Sequence, residues 1–240
     1  NAEYNDNVFG TDTAEESDTV FRIVPSVAIA SDWSRNALGL RAKVVDWRYV
    51  DFDSEDRTDW SVDGNGRLDI GSRSSVRFNA GYENAFESRY DAAAPLSTEP
   101  SEYVSTYGGL GFTHEFNRLQ IMGDVTLRNY DFKSFDNIFG GSTNQDYRDY
   151  DRVDYTARAD YALPKGGVVF VEGGYNTRNY DNLTSFGLAG TADDLNQDSD
   201  GYRALIGARV DLTNLLRGEI AAGYMKQSYD DARLNNADGV

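Results

Sequence analysis

Apolar and polar residues alternate one for one over stretches of about 11 to 14 residues, and this period leaves few folds open. Strands in water-soluble domains average roughly 5 to 6 residues, whereas a tilted strand crossing a bilayer needs about 9 to 11. The clearest stretch is Trp60–Ile70. Trp60, Val62, Leu68 and Ile70 fall on one face with Gly64 and Gly66, and Asp63, Asn65, Arg67 and Asp69 fall on the other. Helical periodicity is nearly absent, and no run of about 18 apolar residues exists that would form a transmembrane helix.

The same rule divides the rest of the chain into two faces. One carries Val76, Phe78, Tyr82, Leu110, Phe112, Val125, Leu127, Tyr155, Val169, Val171, Ile206, Val210 and Ile220, which are expected to face lipid. The other carries Arg41, Lys43, Asp63, Arg67, Asp69, Arg77, Glu83, Asp124, Arg128, Asp154, Arg158, Asp160, Glu172, Arg178, Arg203, Arg209, Arg217 and Glu219, which are expected to line a lumen. Small residues on that second face, among them Gly81, Gly109, Gly111, Gly174, Gly207 and Gly223, suit close strand packing or room for a substrate. On this facing, Ile206→Arg should impair assembly, whereas Gly207→Arg should alter the lumen.

Connection lengths alternate as well. Short turns are predicted at Ser31–Asn36, Gly71–Ser74, Phe116–Arg118, Pro164–Gly167 and Thr213–Leu215. Long polar loops are predicted near Val50–Arg57, Ser88–Ser101, Lys133–Asp149 and Asp181–Ser199. Outer-membrane barrels place short turns on the periplasmic side and long loops outside. The fold class expected is therefore all-β, a transmembrane antiparallel up-and-down barrel with about ten long strands visible. Residues 1–240 form one barrel domain. Its first and last strands run in the direction opposite to a complete barrel's, so it is expected to be part of a larger one. Trp33, Trp47, Tyr49, Trp60, Tyr130, Phe132, Tyr180 and Tyr229 lie near strand ends, as interfacial girdles do.

A mean hydropathy of −0.60 does not oppose this reading, because only every second residue of such a strand meets lipid. The net charge of −17 argues against nucleic acid as a partner, since phosphate binding needs a basic face. The absence of cysteine removes disulfides and thiol-based sites from consideration.

Several stretches resemble the family named putative β-barrel porin type 2 of proteobacterial outer membranes. They are Glu3-Tyr4-Asn5-Asp6-Asn7-Val8-Phe9-Gly10, Asp18 leading to Val24-Pro25-Ser26, Tyr49 after Trp47, and Asp211-Leu212-Thr213-Asn214-Leu215-Leu216-Arg217-Gly218-Glu219 followed by Gly223-Tyr224. The resemblance implies a barrel longer than this chain, with strands continuing past Val240. Some members are associated with exopolysaccharide secretion, and the resemblance carries no catalytic residues.

No cofactor, metal site or catalytic residue is expected. The single histidine, His114, sits two residues before a short turn and shares parity with Leu110 and Phe112. It reads as interfacial rather than as a hydrolase base, and carboxylates alone offer no distinct acid–base pair. Asn196-Gln197-Asp198-Ser199-Asp200-Gly201 opens like a calcium loop, but the twelfth position is Gly207 where a bidentate Glu is required. Asn182-Leu183-Thr184 matches a glycosylation acceptor and reads as chance. The expected function is an outer-membrane pore for hydrophilic solutes or secreted exopolysaccharide, with lipid and lipopolysaccharide as surroundings and polysaccharide or periplasmic export components as partners. The alternatives are a structural or adhesive surface protein with a blocked lumen and, third, a soluble all-β binding protein.

Overall fold

A computed structural model describes residues 1–90, 97–138, 140–164, 166–184, 194–211 and 216–240, the side chains of residues 211 and 217 excepted. The turn at Thr213–Leu215 and residues 185–193 of the loop predicted near Asp181–Ser199 therefore lie outside the described residues.

Fifteen strands are described: β1 (Ala2–Asn5), β2 (Asp18–Ile23), β3 (Ser26–Ala30), β4 (Ala37–Tyr49), β5 (Arg57–Ile70), β6 (Ser74–Phe86), β7 (Glu102–Glu115), β8 (Leu119–Phe132), β9 (Phe135–Asp136), β10 (Ser142–Thr143), β11 (Tyr150–Ala162), β12 (Val168–Tyr180), β13 (Ser199–Asp211), β14 (Arg217–Tyr229) and β15 (Ala237–Gly239). The nine long ones, β4 to β8 and β11 to β14, are each 13 or 14 residues. They form one meander with β1, β2 and β15, in the order β1-β2-β4-β5-β6-β7-β8-β11-β12-β13-β14-β15, and β3 also pairs with β4. Every described strand pairing is antiparallel, and β9 and β10 make a small hairpin within the long loop between β8 and β11.

The tenth crossing is β2 and β3 together. Ile23 pairs with Asp46 and Ser26 with Lys43, so the register against β4 is unbroken across Val24 and Pro25. Pro25 has no N–H to give the ladder, yet its carbonyl still accepts from Val44 N at 3.0 Å. The sheet is open, with β1 and β15 at its edges. Short turns gather at one end of the strands and long loops at the other, as the alternation of lengths predicted.

Burial runs opposite to that of a water-soluble sheet. The apolar face is the exposed one, with Val171 at 54% and Ile220 at 76%, while Phe170 on the polar face is 3% exposed. Along β12 the odd positions, Val169 to Tyr175, are exposed, and the even ones are half-buried or buried. An apolar surface this continuous is stable only where hydrocarbon covers it.

Candidate functional site

Register brings the charged residues of alternate positions onto one face. A single row runs through directly opposed residues: Arg41, Asp63, Gly81, Tyr107, Arg128, Arg152, Arg178 and Ser199. Asp63 is its one acid, and it accepts a short hydrogen bond from the Tyr107 hydroxyl. Arg128, Arg152 and Arg178 stand side by side on β8, β11 and β12. Like charges directly opposite cost roughly 0.2–1 kcal/mol per pair. Arg152 is paired with Asp154, two residues along its own strand, at 2.7 Å. Arg128 stacks on Tyr107, 4.8 Å from the ring centre, and donates to Tyr130 Oη at 3.3 Å. Arg178 lies 5.7 Å from the centre of the Tyr150 ring.

On the long-loop side of this row, Tyr130, Tyr150 and Tyr180 are directly opposed in turn. Their ring centres are 4.7 Å and 5.1 Å apart. Toward the short-turn end the charges balance. Arg158 meets Asp160 at 2.7 Å, Glu172 at 3.5 Å and Glu219 at 3.7 Å. Arg203 meets Glu172 at 2.9 Å, and Arg209 meets Asp160 at 3.7 Å and Glu219 at 4.0 Å. Arg77 bridges to Asp124 at 2.9 Å and donates to Thr113 Oγ1 at 3.1 Å, and Arg67 holds Asp69 at 2.9 Å. Lys43 and Glu83 lie on the same face, opposite Ser61. Arg217 is opposite Asp211 in the register, its side chain outside the described residues.

The glycines of this face are not vacancies. The Tyr107 ring lies where a Cβ on Gly81 would go, Phe170 covers Gly207, and Asp124 with Arg77 covers Gly111. Arg203 covers Gly174, and Asn79 covers Gly109. A neighbouring large side chain fills each gap, so close packing is realised and open room is not. Gly207→Arg is consequently no simple change of lumen lining, because a Cβ there would stand 2.6 Å from the backbone oxygen of Ile220.

Aromatic placement also departs from expectation. Trp47, Tyr49, Tyr130, Phe132, Tyr180 and Tyr229 share the polar face, since alternation puts them in register with its residues. Trp33 lies in a turn, and of the eight residues named only Trp60 is on the apolar face. Aromatic pairs on the apolar face include Trp60 against Tyr82 at 5.0 Å, Tyr155 against Tyr175 at 6.4 Å and Tyr202 against Tyr224 at 6.1 Å. Val76, Phe78, Leu110, Phe112, Val125, Leu127, Val169, Val171, Ile206, Val210 and Ile220 share that face by register.

His114 also lies on the apolar face, opposite Ser74 and Ile121. Its Nδ1 is 2.7 Å from Ser74 Oγ, and its ring packs against Phe116 at 4.3 Å. Asp198, in the calcium-like stretch, accepts Tyr180 N at 2.6 Å, and its own N–H donates to Asn196 Oδ1 at 2.9 Å. These bonds pin the entry to β13.

The long loops are knitted rather than merely solvated. Glu55 is fully buried and takes both Nε and Nη2 of Arg89, at 3.0 Å and 2.5 Å. Arg148 grips Glu87 at 2.5 Å, donates to Gln145 at 2.6 Å and stacks 4.1 Å above Phe132. The buried Gln145 amide donates to Ser101 Oγ and Lys133 O. Asp18 accepts the backbone N–H groups of Asp51 and Phe52 at 3.0 Å and 3.1 Å. A run of acids in a sequence does not reveal such partners, because Arg89 and Arg148 come from other loops.

Arg152, Tyr107 and Phe170 belong to the polar face and to the contacts above, yet they are not among the site residues that the sequence marks. Arg152 is assigned to that face by parity alone, but its opposition to Arg128 and Arg178 requires the register of three strands.

Residues 1–240 match the family model described as "Putative beta-barrel porin 2". No curated protein matches the sequence. Among solved structures, a Pseudomonas aeruginosa FadL homologue is similar with a TM-score of 0.52 and 12% identity. The match covers 92% of this chain and 62% of that one, so this chain spans about three fifths of the homologue's length. The translocator domain of the autotransporter NalP from Neisseria meningitidis aligns with a TM-score of 0.36 and 13% identity over 90% of this chain and 77% of that one. The likeness to the first is one of fold.

Proposed function

Because the chain belongs to the putative β-barrel porin 2 family, and is thereby an outer-membrane β-barrel of a transport-pore family, we propose that its polar face lines a water-filled lumen that passes hydrophilic solutes, secreted exopolysaccharide included. One observation carries this reading. Charged side chains of the polar face are paired yet half exposed, Arg77 at 47% and Asp124 at 43%. Ions shut in a dry interior lose several kcal/mol of hydration each, and a wet lumen avoids that loss. On this reading the apolar face meets lipid and the long acidic loops face lipopolysaccharide, with periplasmic export components as partners when the solute is a polymer. The barrel carries no catalytic role. Ser74 and His114 touch at an apolar rim, where two aromatic rings flank the imidazole.

The test is single-channel conductance of the refolded full-length protein in a planar bilayer. Steady, ion-selective steps are the expected result, and silence from well-folded protein would overturn the open lumen. A second reading, a structural or adhesive barrel with a blocked mouth, draws on the buried Glu55–Arg89 and Glu87–Arg148 pairs that tie three long loops together. Silence would favour it.

A further inference from the structure

We propose that the polar face holds a binding site for an oxyanion group, a carboxylate or phosphate carried by a passing solute, built on Arg152 and Arg178 with Arg128 and Arg203 beside them. The proposal names a substrate class for the pore and rests on that reading only for the site being wet and reached from the lumen.

Charge along the row is unbalanced. Four arginines, Arg41, Arg128, Arg152 and Arg178, share it with one acid, Asp63, which Tyr107 already engages. The overall charge of the chain is −17, so this concentration of cations is local and runs against the general field. Among the described residues Arg178 forms no ion pair, and its buried Nε has no hydrogen-bond partner. A guanidinium left with an unused donor, beside a second guanidinium directly opposite, is short of an anion. The surroundings give that anion a place. A cavity of about 260 Å³ is walled by Arg152, Arg178 and Arg203 with Asn176 and Gln227, and Asp154 stands at its side. Gly174, whose missing side chain leaves Arg203 in contact with the backbone, lies in its floor. The stacked rings of Tyr130 and Tyr150 stand two residues from Arg128 and Arg152 toward the long loops. Planar forks that face a carboxylate or phosphate bind it through paired N–H donors, which a neutral sugar cannot match.

The test is calorimetric titration of the full chain in detergent micelles with inorganic phosphate, glucuronate and glucose as separate probes. Binding of phosphate, glucuronate or both, without glucose, is the expected result. Phosphate alone identifies a free oxyanion as the source, and glucuronate alone an acidic sugar. R178Q should weaken anion binding at least tenfold. D154N, which removes the carboxylate competing for Arg152, should tighten it severalfold, and a merely structural Arg178 predicts no such gain. Absence of binding by both anions, equal binding of glucose, or unchanged affinity in R178Q would overturn the proposal. Should R178Q fail to fold, a loss of affinity in D154N would overturn it equally. Conductance is read separately: binding without conductance sinks the pore and leaves the site, and conductance without anion binding sinks the site alone.

Discussion

The Arg158 guanidinium lies 3.7 Å from the centre of the Phe170 ring, and the same ring covers Gly207 on the neighbouring strand. A three-layer stack of charge, ring and bare backbone forms from residues on β11, β12 and β13. Gly207→Ala should therefore destabilise the barrel by roughly 1–3 kcal/mol, the usual cost of overpacking, because a Cβ would meet both Phe170 and the Ile220 backbone. Gly173→Ala, on the opposite face with open space around it, should unfold at the same denaturant midpoint as wild type. Equal losses at both sites in a urea titration would contradict the stacking.

Ile206, 66% exposed on the apolar face, makes a second contrast. Ile206→Arg should cost about 2–4 kcal/mol if the residue sits near the bilayer midplane. Refolding yield into lipid vesicles measures this. A yield equal to wild type would place that face away from hydrocarbon.

Loop order depends on the Glu55–Arg89 pair. Removing one partner of a buried pair leaves the other uncompensated, at a cost of about 3–5 kcal/mol, whereas replacing both with apolar residues is often neutral. E55A should make the loops cleavable by protease added outside intact cells. The E55M/R89M double variant should restore most of the resistance. Identical digestion of all three proteins would show that the loops are ordered by other contacts.

Two loop carboxylates respond to pH in opposite senses. Burial pushes the Asp149 carboxyl above its ordinary value of 3.8, against the pull of the Phe132 N–H it accepts at 2.6 Å. Its ionised form is disfavoured in the fold, so its effect on stability turns adverse as pH rises from 3.8 through the raised value. The Arg233 side chain holds Asp231 well below 3.8, so that contribution is complete above 3.8 and is lost as pH falls through the depressed value. Hydrogen-exchange protection should fall with rising pH at Phe132 and with falling pH at Arg233. D149N should flatten the first profile and leave the second alone.

Much of this architecture is legible in the sequence because a strand with two different solvents on its faces has to alternate. Trp60–Ile70 reads correctly from parity alone, and connection length adds which end of each strand carries the long loops. Parity does not say which residue of one strand stands opposite which of the next. The Arg128–Arg152–Arg178 row and the Tyr130–Tyr150–Tyr180 stack emerge only from register, and the tyrosines look like a girdle until their face is counted. The buried loop pairs are invisible for a related reason. Glu55 and Arg89 are 34 residues apart, with no periodic pattern between them.

The row of arginines has one more property. Strands of such a barrel tilt by about 35–45° and stand about 4.8 Å apart, so each step along a row of opposed residues also climbs about 3 Å along the barrel axis. Arg128, Arg152 and Arg178 therefore form a stair rather than a ring. Under the proposed anion site, a carboxylate or phosphate moving along the axis would meet these guanidiniums one after another rather than all three at once.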